Sequence, residues 1–512
     1  MKIPFFIGLF LLLATSAFGQ SKIISIIDRG ACSSNTTENT VIIQKAIDEV
    51  SAAGGGQVLI PAGRFVTGVL HLKSNVEIHL DKYAVLAGST RRSDYGIPDA
   101  TALLLADKVQ NIGITGQGII DGQGEKIIED IYRMLNAGTL QDSEWKTENP
   151  WHQVRPEERN RPKIINFTNS NNIIIKGITI KNSPNWVQRY DKCVDILMDS
   201  IQVESNVYWN NDGVDFVDCK NVKCTNSFFN ADDDGICLKS EDRNSRCENI
   251  YVANCVVRSS ASAVKLGTAS WGGFKNITIK DIKVFDTFRS AIAIEAVDGG
   301  VIENVDVRNI KATNTGNAIL VRLGHRNKDS VVSQLRNVYI GNMEVEVPRT
   351  KPDVGYNMEG PAKRYPHNVF PSSVTGIPGH PVQNVLIENV NIVYQGGADR
   401  NKACFGLDSL AKVPERIPDY PEFSMFGELP AWGFYVRHVE GIQFKNVQVS
   451  YKNDDFRPAM TFDDVKGLAL NHVDIPTANE LPVIVLHNVK NQSIEQLKLS
   501  VDMKKAIKVI KK

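Results

Sequence analysis

Two short acidic runs carry the chemistry this sequence can do. The first is Asn210-Asn211-Asp212-Gly213-Val214-Asp215, and about 22 residues later comes Ala231-Asp232-Asp233-Asp234-Gly235-Ile236. Each Asp-Gly pair runs straight into an apolar, strand-like segment. A chain stacked in coils of that period sets Asp212 over Asp234, roughly 4.8 Å apart, the spacing of hydrogen-bonded strands. Asp233 then lies beside them. Three carboxylates in one patch repel one another and raise at least one pKa. Such a patch suits a bound metal, or acid–base chemistry in which the carboxylates take different roles.

The elements that must position these runs form a repeat. Asn followed by alternating apolar and polar residues, then a turn, recurs at Asn75, Asn111, Asn172, Asn221, Asn249, Asn276, Asn304, Asn337, Asn384 and Asn446. Between Asn221 and Asn304 the copies are about 27–28 residues apart, a solenoid period. Alternation within each copy is that of a strand. The leading Asn fits a turn, where its side chain can bond the local backbone. Ile23–Asp28 reads as a strand. From Asn39 to Ala53 the spacing is helical, with Ile43, Ala46, Ile47 and Val50 on one face, and Gly54-Gly55-Gly56 ends it. Short strands follow at residues 57–63 and 65–68. This start reads as the cap that covers the open end of a solenoid. The expected fold is all-β, a right-handed parallel β-helix with an N-terminal capping helix.

Charge is balanced, with 58 basic and 58 acidic residues. That argues against a nucleic-acid or anionic-membrane partner, which favours a basic excess. Residues 1–19 read as a signal peptide: Lys2, the apolar run Pro4–Leu13, then Ala17-Phe18-Gly19 before Gln20. Residues 20–512 are then one exported β-helix domain, periplasmic or secreted, and no later segment is apolar enough to span a membrane. Export permits disulfides among the eight Cys, although Cys237 and Cys255 sit in strand-like runs that suit buried free thiols. No paired CxxC suggests zinc. The Lys504–Lys512 end reads as a basic surface tail.

Three insertions interrupt the repeat. Glu125–Arg161 holds Trp145, Trp151, His152 and several Pro, while Arg349–Pro381 and Asn401–Ala431 are rich in Pro, Gly, Tyr and Phe. Long loops on one face of a solenoid shape a binding groove. Aligning the coils gives three columns: Asp212, Asp234 and Ser262; Asp215, Cys237 and Lys265; Lys239, Gly267, Glu295 and Arg322. The candidate substrate-binding residues are Trp186, Arg189, Lys265, Arg289, Glu295, Arg322 and His325. Trp186 reads either as coil packing or as a sugar platform, and Glu295 either as an ion partner of Arg322 or as a substrate contact.

These runs resemble those of the polygalacturonase-like glycoside hydrolases of family 28. Asn210-Asn211-Asp212-Gly213 is similar to their Asn-Thr-Asp motif. Asp233-Asp234-Gly235-Ile236-Cys237-Leu238-Lys239-Ser240 is similar to their Asp-Asp motif, and Asn182-Ser183-Pro184-Asn185-Trp186 to the segment before them. The resemblance implies inverting hydrolysis of a pectin-like plant or algal polysaccharide or its oligosaccharides. Asp233 would be the general acid, and Asp212 and Asp234 would activate water. No cofactor or metal is expected. The family's Gly-His-Gly falls on Ala261-Ser262-Ala263, and its carboxylate-holding Arg-Ile-Lys falls on Ala293-Ile294-Glu295. Lys265, Arg289, Arg322 or His325 would have to compensate. Two other classes fit parts of the pattern. One is a β-helical polysaccharide lyase with Lys265 as base, and the other a non-catalytic carbohydrate-binding β-helix.

Overall fold

The computed structural model describes residues 22–147, 153–356, 367–403, 405–478 and 480–510. The expected leader, Trp151, His152 and Cys404 lie outside them. The chain winds as a right-handed parallel β-helix. Each strand pairs in parallel with the strand one coil away: Val214 lies against Ile236, Ile236 against Val264, Val264 against Ile292, and Ile292 against Ile319. Alternation decides what faces inward. Val222, Ile250, Ile277, Val305, Val338, Val385, Ile442 and Leu468 form one continuous column, and each is buried. Under the strands that carry the acidic runs, Phe167 meets Tyr190 edge-to-face at 5.6 Å between ring centroids and Tyr190 stacks on Phe216 at 5.7 Å. A column of large apolar side chains per coil is what fixes the register, because a one-residue slip would turn every one of them outward.

Helix α1, Thr40–Ala52, caps the first coil with Ile43, Ala46, Ile47 and Val50 buried, as the spacing predicts. The strand expected over Ile23–Asp28 is shorter, Lys22–Ser25, and passes into a 3₁₀ turn over Ile26–Arg29. Two other expectations need correction. The first insertion opens with helix α2, Gly124–Asn136, whose Ile127, Ile128, Ile131 and Leu135 are buried against the coils. At the other end, Ile507–Ile510 is no free tail but a last strand on Ile484–His487. The seven described cysteines are free thiols, six of them buried. Among the described residues no helix is long and apolar enough to cross a membrane.

The recurring asparagines act differently from the expectation. Each adopts the left-handed region, with φ near 55° at Asn276 and 58° at Asn249. Their side chains bond one another from coil to coil rather than the local backbone. Asn276 Nδ2 donates to Asn249 Oδ1 at 3.1 Å and Asn304 Nδ2 to Asn276 Oδ1 at 3.1 Å. Asn446 belongs to a second ladder, on Asn389 and Asn342. Asn is suited twice over, since it tolerates left-handed backbone and both accepts and donates. Replacing Asn276 by Ala is therefore expected to cost about 2 kcal/mol, from the backbone penalty and two lost amide contacts. Asn276→Gly should recover the backbone share. The midpoint of urea unfolding reads both, and equal midpoints for Ala and Gly would sink the backbone part.

Candidate active site

The two Asp-Gly turns stack as the period requires. Gly213 N donates to Asp234 O at 2.9 Å, and Gly235 N donates to Ser262 O at 2.9 Å, so Asp212, Asp234 and Ser262 share a column. The glycine is needed where the coils approach: a Cβ on Gly213 would stand 2.4 Å from Gly235 O. Carboxylate oxygens of Asp212 and Asp234 lie within 4.8 Å of each other, with Cys237 Sγ equally near. Behind them, buried Asn211 pins its turn by donating to Asn185 O at 2.9 Å and accepting from Ser205 Oγ at 2.9 Å. Neighbouring Asn210 is held by fully buried Arg161, which also bonds Trp209 O and Pro184 O.

The three carboxylates differ in their partners, and this is the central fact of the site. Asp212 Oδ2 accepts from Lys239 Nζ at 2.8 Å. The same ammonium bonds Asp215, which is fully buried. Asp234 Oδ2 accepts from Lys265 Nζ at 2.9 Å, and its Oδ1 from Ser262 N at 3.0 Å. Asp233 touches no cation among the described residues. It accepts only from Asp234 N at 2.8 Å and, at 3.4 Å, from Asn210 Nδ2. Asp212 and Asp234 are 3% and 2% exposed, whereas Asp233 is half-buried and reaches the open pocket.

Electrostatics follow from these partners. Desolvation at the pocket floor, then the charges of Asp212 and Asp234, push Asp233 up to about 7. Burial works against Asp234 too, but Lys265, Arg289 and Lys239 hold it below the usual carboxylate range. Burial and the charge of Asp215 push Asp212 up to about 8, against the pull of Lys239. Asp212 and Asp233 thus compete for a proton and titrate as a unit. The two differ in contact: Asp212 Oδ2 is bonded to the Lys239 ammonium, whereas the Asp233 carboxyl is bonded to none among the described residues. Lys265 is itself kept protonated by Asp234, Tyr420 and Glu295, against the opposite push of burial.

Around this floor lies a pocket of about 330 Å³. Trp186, Lys239, Lys265, Thr268 and Arg289 line it from the coils. From the insertions come Gln153, Arg155 and Glu158 on one wall and Tyr420 on another. Trp186 is half-buried, with Lys239 Nζ 4.1 Å and Lys163 Nζ 5.2 Å from its ring centroid, so ammonium groups already cover it. Arg189 sits behind the rim, paired with Glu241 at 2.7 Å and Asp191 at 3.2 Å.

The pairings bear out the column of Asp215, Cys237 and Lys265 and set Glu295 beside Arg322. Lys239 and Gly267 fall where the register shifts. Glu295, however, is no partner of Arg322. It lies beneath Lys265, 3.9 Å from Nζ, and accepts from Thr268 Oγ1 at 3.2 Å. Arg322 is buried outside the pocket, donating to the carbonyls of Gly376, Glu415 and Arg416. It anchors the third insertion, the loop that delivers Tyr420. His325 also lies outside the pocket, bonded to Asp329 O at 2.7 Å. Asp232, buried, is absent from the pocket wall.

Sequence reasoning missed two kinds of residue here. Lys239 carried a usable signal: it lies one strand beyond Asp234 on an outward position. Tyr420, whose hydroxyl accepts from Lys265 Nζ at 2.8 Å, comes from a loop without periodicity.

Comparison with known proteins decides the family. The profile described as Glycosyl hydrolases family 28 matches residues 51–411, more than half of the chain. The chain belongs to glycosyl hydrolase family 28. Within family 28 it is 27% identical over 369 residues to the exo-poly-alpha-D-galacturonosidase of Dickeya chrysanthemi, covering 62% of this chain and 60% of that one. It is 24% identical over 307 residues to the endo-polygalacturonase of Pectobacterium carotovorum subsp. carotovorum, covering 57% and 73%. The match thus spans about three fifths of the length of the first of these relatives. The hyperthermoactive exopolygalacturonase of Thermotoga maritima shares the fold, with a TM-score of 0.57 at 20% identity over 73% of this chain and 87% of that one. These family 28 relatives are divergent in sequence, and the chain is a divergent member of a family of glycosidases.

Proposed function

We propose that this enzyme hydrolyses an O-glycosidic bond in a pectin-like polysaccharide or its oligosaccharides, with inversion. The observation that carries the reading is the unequal partnering of the three carboxylates. Asp233, in contact with no cation, holds a proton near neutral pH and gives it to the leaving glycosidic oxygen. Asp234, held ionised by Lys265, takes a proton from the attacking water on the other face of the sugar, and Asp212, bonded to Lys239, holds that water beside it. Both lysines also oppose the like charges that would otherwise empty the cluster of negative charge. Relatives named as galacturonosidases and polygalacturonases support the pectic substrate. The leader-like residues 1–19 support action outside the cytoplasm.

Lys265 argues against a lyase. A base must accept a proton, and this amine is charged and already donates to Asp234 and Tyr420. A binding-only β-helix has no need of the paired Asp turns.

The test is incubation with a panel of pectic glycans, with and without chelator. New reducing ends of inverted anomeric configuration, without unsaturated products and without chelator sensitivity, are expected. Unsaturated products that vanish with chelator would replace the hydrolase reading by elimination.

A further inference from the structure

The resemblance to polygalacturonase-like hydrolases implies a carboxylate-holding Arg-Ile-Lys where this chain has Ala293-Ile294-Glu295. The pocket nevertheless contains five cations: Arg155, Lys239, Lys265, Arg289 and Arg326. Four of them face acids of the protein. Lys239 serves Asp212 and Asp215, and Lys265 serves Asp234. Arg326 makes two bonds to Asp298, at 3.0 and 2.7 Å. Arg289 lies in the field of Glu422, Asp233 and Asp234.

Arg155 is different. Its Nε donates to Gln153 Oε1 at 3.2 Å, and its terminal nitrogens meet no acceptor among the described residues. Glu158 shares the wall but stands more than an ion-pair distance from it. Arg161, another cation of the same segment, is fully buried, bonds only neutral oxygens and feels the charges of Glu158 and Arg155. Arg155 and Arg161 repel each other, Glu158 offsets this for Arg161, and an anion at Arg155 relieves it further. A guanidinium with its terminal nitrogens open presents the planar fork that matches a carboxylate in two parallel hydrogen bonds.

We propose that Arg155 is a specificity-determining residue that binds the carboxylate of a uronic-acid residue in the pocket, taking over from the first insertion the work of the missing strand cations. This rests on the reading of the site as a glycoside hydrolase.

The test uses the full chain with Arg155 or Arg155→Gln. Trigalacturonate and its carboxyl-reduced counterpart are titrated by calorimetry into Asp233→Asn and Asp233→Asn/Arg155→Gln proteins. Trigalacturonate affinity is expected to fall by about 10- to 100-fold on losing the charge-assisted pair. The reduced trisaccharide should change less than about twofold, being unable to use that pair. Arg155→Lys should restore part of the preference. Equal losses for both ligands, no loss for either, or no binding of either would overturn the assignment. Cleavage of trigalacturonate by the otherwise unaltered enzyme is measured beside this. Cleavage with an Arg155-independent preference refutes Arg155 alone, and absence of cleavage refutes the hydrolase reading as well.

Discussion

Asp233→Asn lowers kcat by about 10²- to 10⁴-fold, the range that a positioned general acid supplies, while substrate affinity stays close to that of the unaltered enzyme. The replacement keeps the shape, so the carbonyl oxygen can still accept from Asp234 N. What it removes is the proton. The pH profile makes the result specific. Asp233 is pushed up to about 7, so the protonated acid is present below that value and lost above it. The rate should therefore fall as pH rises through about 7, and this limb should disappear in Asp233→Asn. On the acid side the rate should persist to low pH, because Asp234 is held ionised below the usual range. Unchanged turnover in the Asn variant, or an alkaline limb that survives in it, would remove Asp233 from the role.

Lys239→Met destabilises the fold by about 3–5 kcal/mol, the cost of stranding buried charge when one partner of an ion pair is deleted. Here two carboxylates are stranded at once, since Asp212 and Asp215 share the one ammonium and both are buried. Asp215 Oδ1 is bonded to Lys239 and Oδ2 has no hydrogen-bond partner, which leaves nothing to take over. The sign of the pH dependence follows. Without Lys239, burial leaves both acids with pKa values above those of the unfolded chain. They are neutral and harmless at low pH and increasingly costly as pH rises. The deficit against the unaltered protein, read as the shift in unfolding midpoint, should thus be smallest in acid and grow toward neutrality. Lys239→Met/Asp215→Asn should recover part of it. A midpoint shift independent of pH would mean that Lys239 contributes packing on Trp186 and not charge. Activity should fall together with stability, because Asp212 loses the ammonium that fixes its carboxylate at the pocket floor.

Much of the site was legible because in-register parallel strands turn sequence period into spatial contact. Asp212 over Asp234, and Asp215, Cys237 and Lys265 in line, follow from counting residues between turns. The count fails where something other than the period acts. Arg322 and Glu295 do share a column, but the third insertion covers Arg322, and its carbonyls claim the guanidinium before any carboxylate can. Tyr420 and Arg155 arrive on loops, whose positions no repeat dictates. Helix α2 did carry helical spacing, at Ile127, Ile128, Ile131 and Leu135. It lay hidden because the charged and proline-rich residues that follow dominate the composition of that insertion. The asparagines were recognised as turn residues from their position. That they bond each other, and not their own backbone, depends on the neighbouring coil and is invisible in any single repeat.

Those asparagine ladders bear on how the protein changes over time. Asn384 bonds Asn337 across 47 residues, and Asn446 bonds Asn389 across 57, with amide contacts of 3.2 and 2.8 Å. Each long insertion therefore leaves the stack and returns to the next rung as if nothing had intervened. The rungs behave as a chassis with fixed mounting points, and the insertions as exchangeable fittings. One of them carries Tyr420 and another Arg155. If Tyr420 and Arg155 meet the sugar as proposed, exchanging a fitting changes the sugar met without moving the two Asp turns, whose separation belongs to the chassis alone. New substrate preferences can thus be acquired by splicing loops, while the spacing that the reaction demands is inherited unaltered.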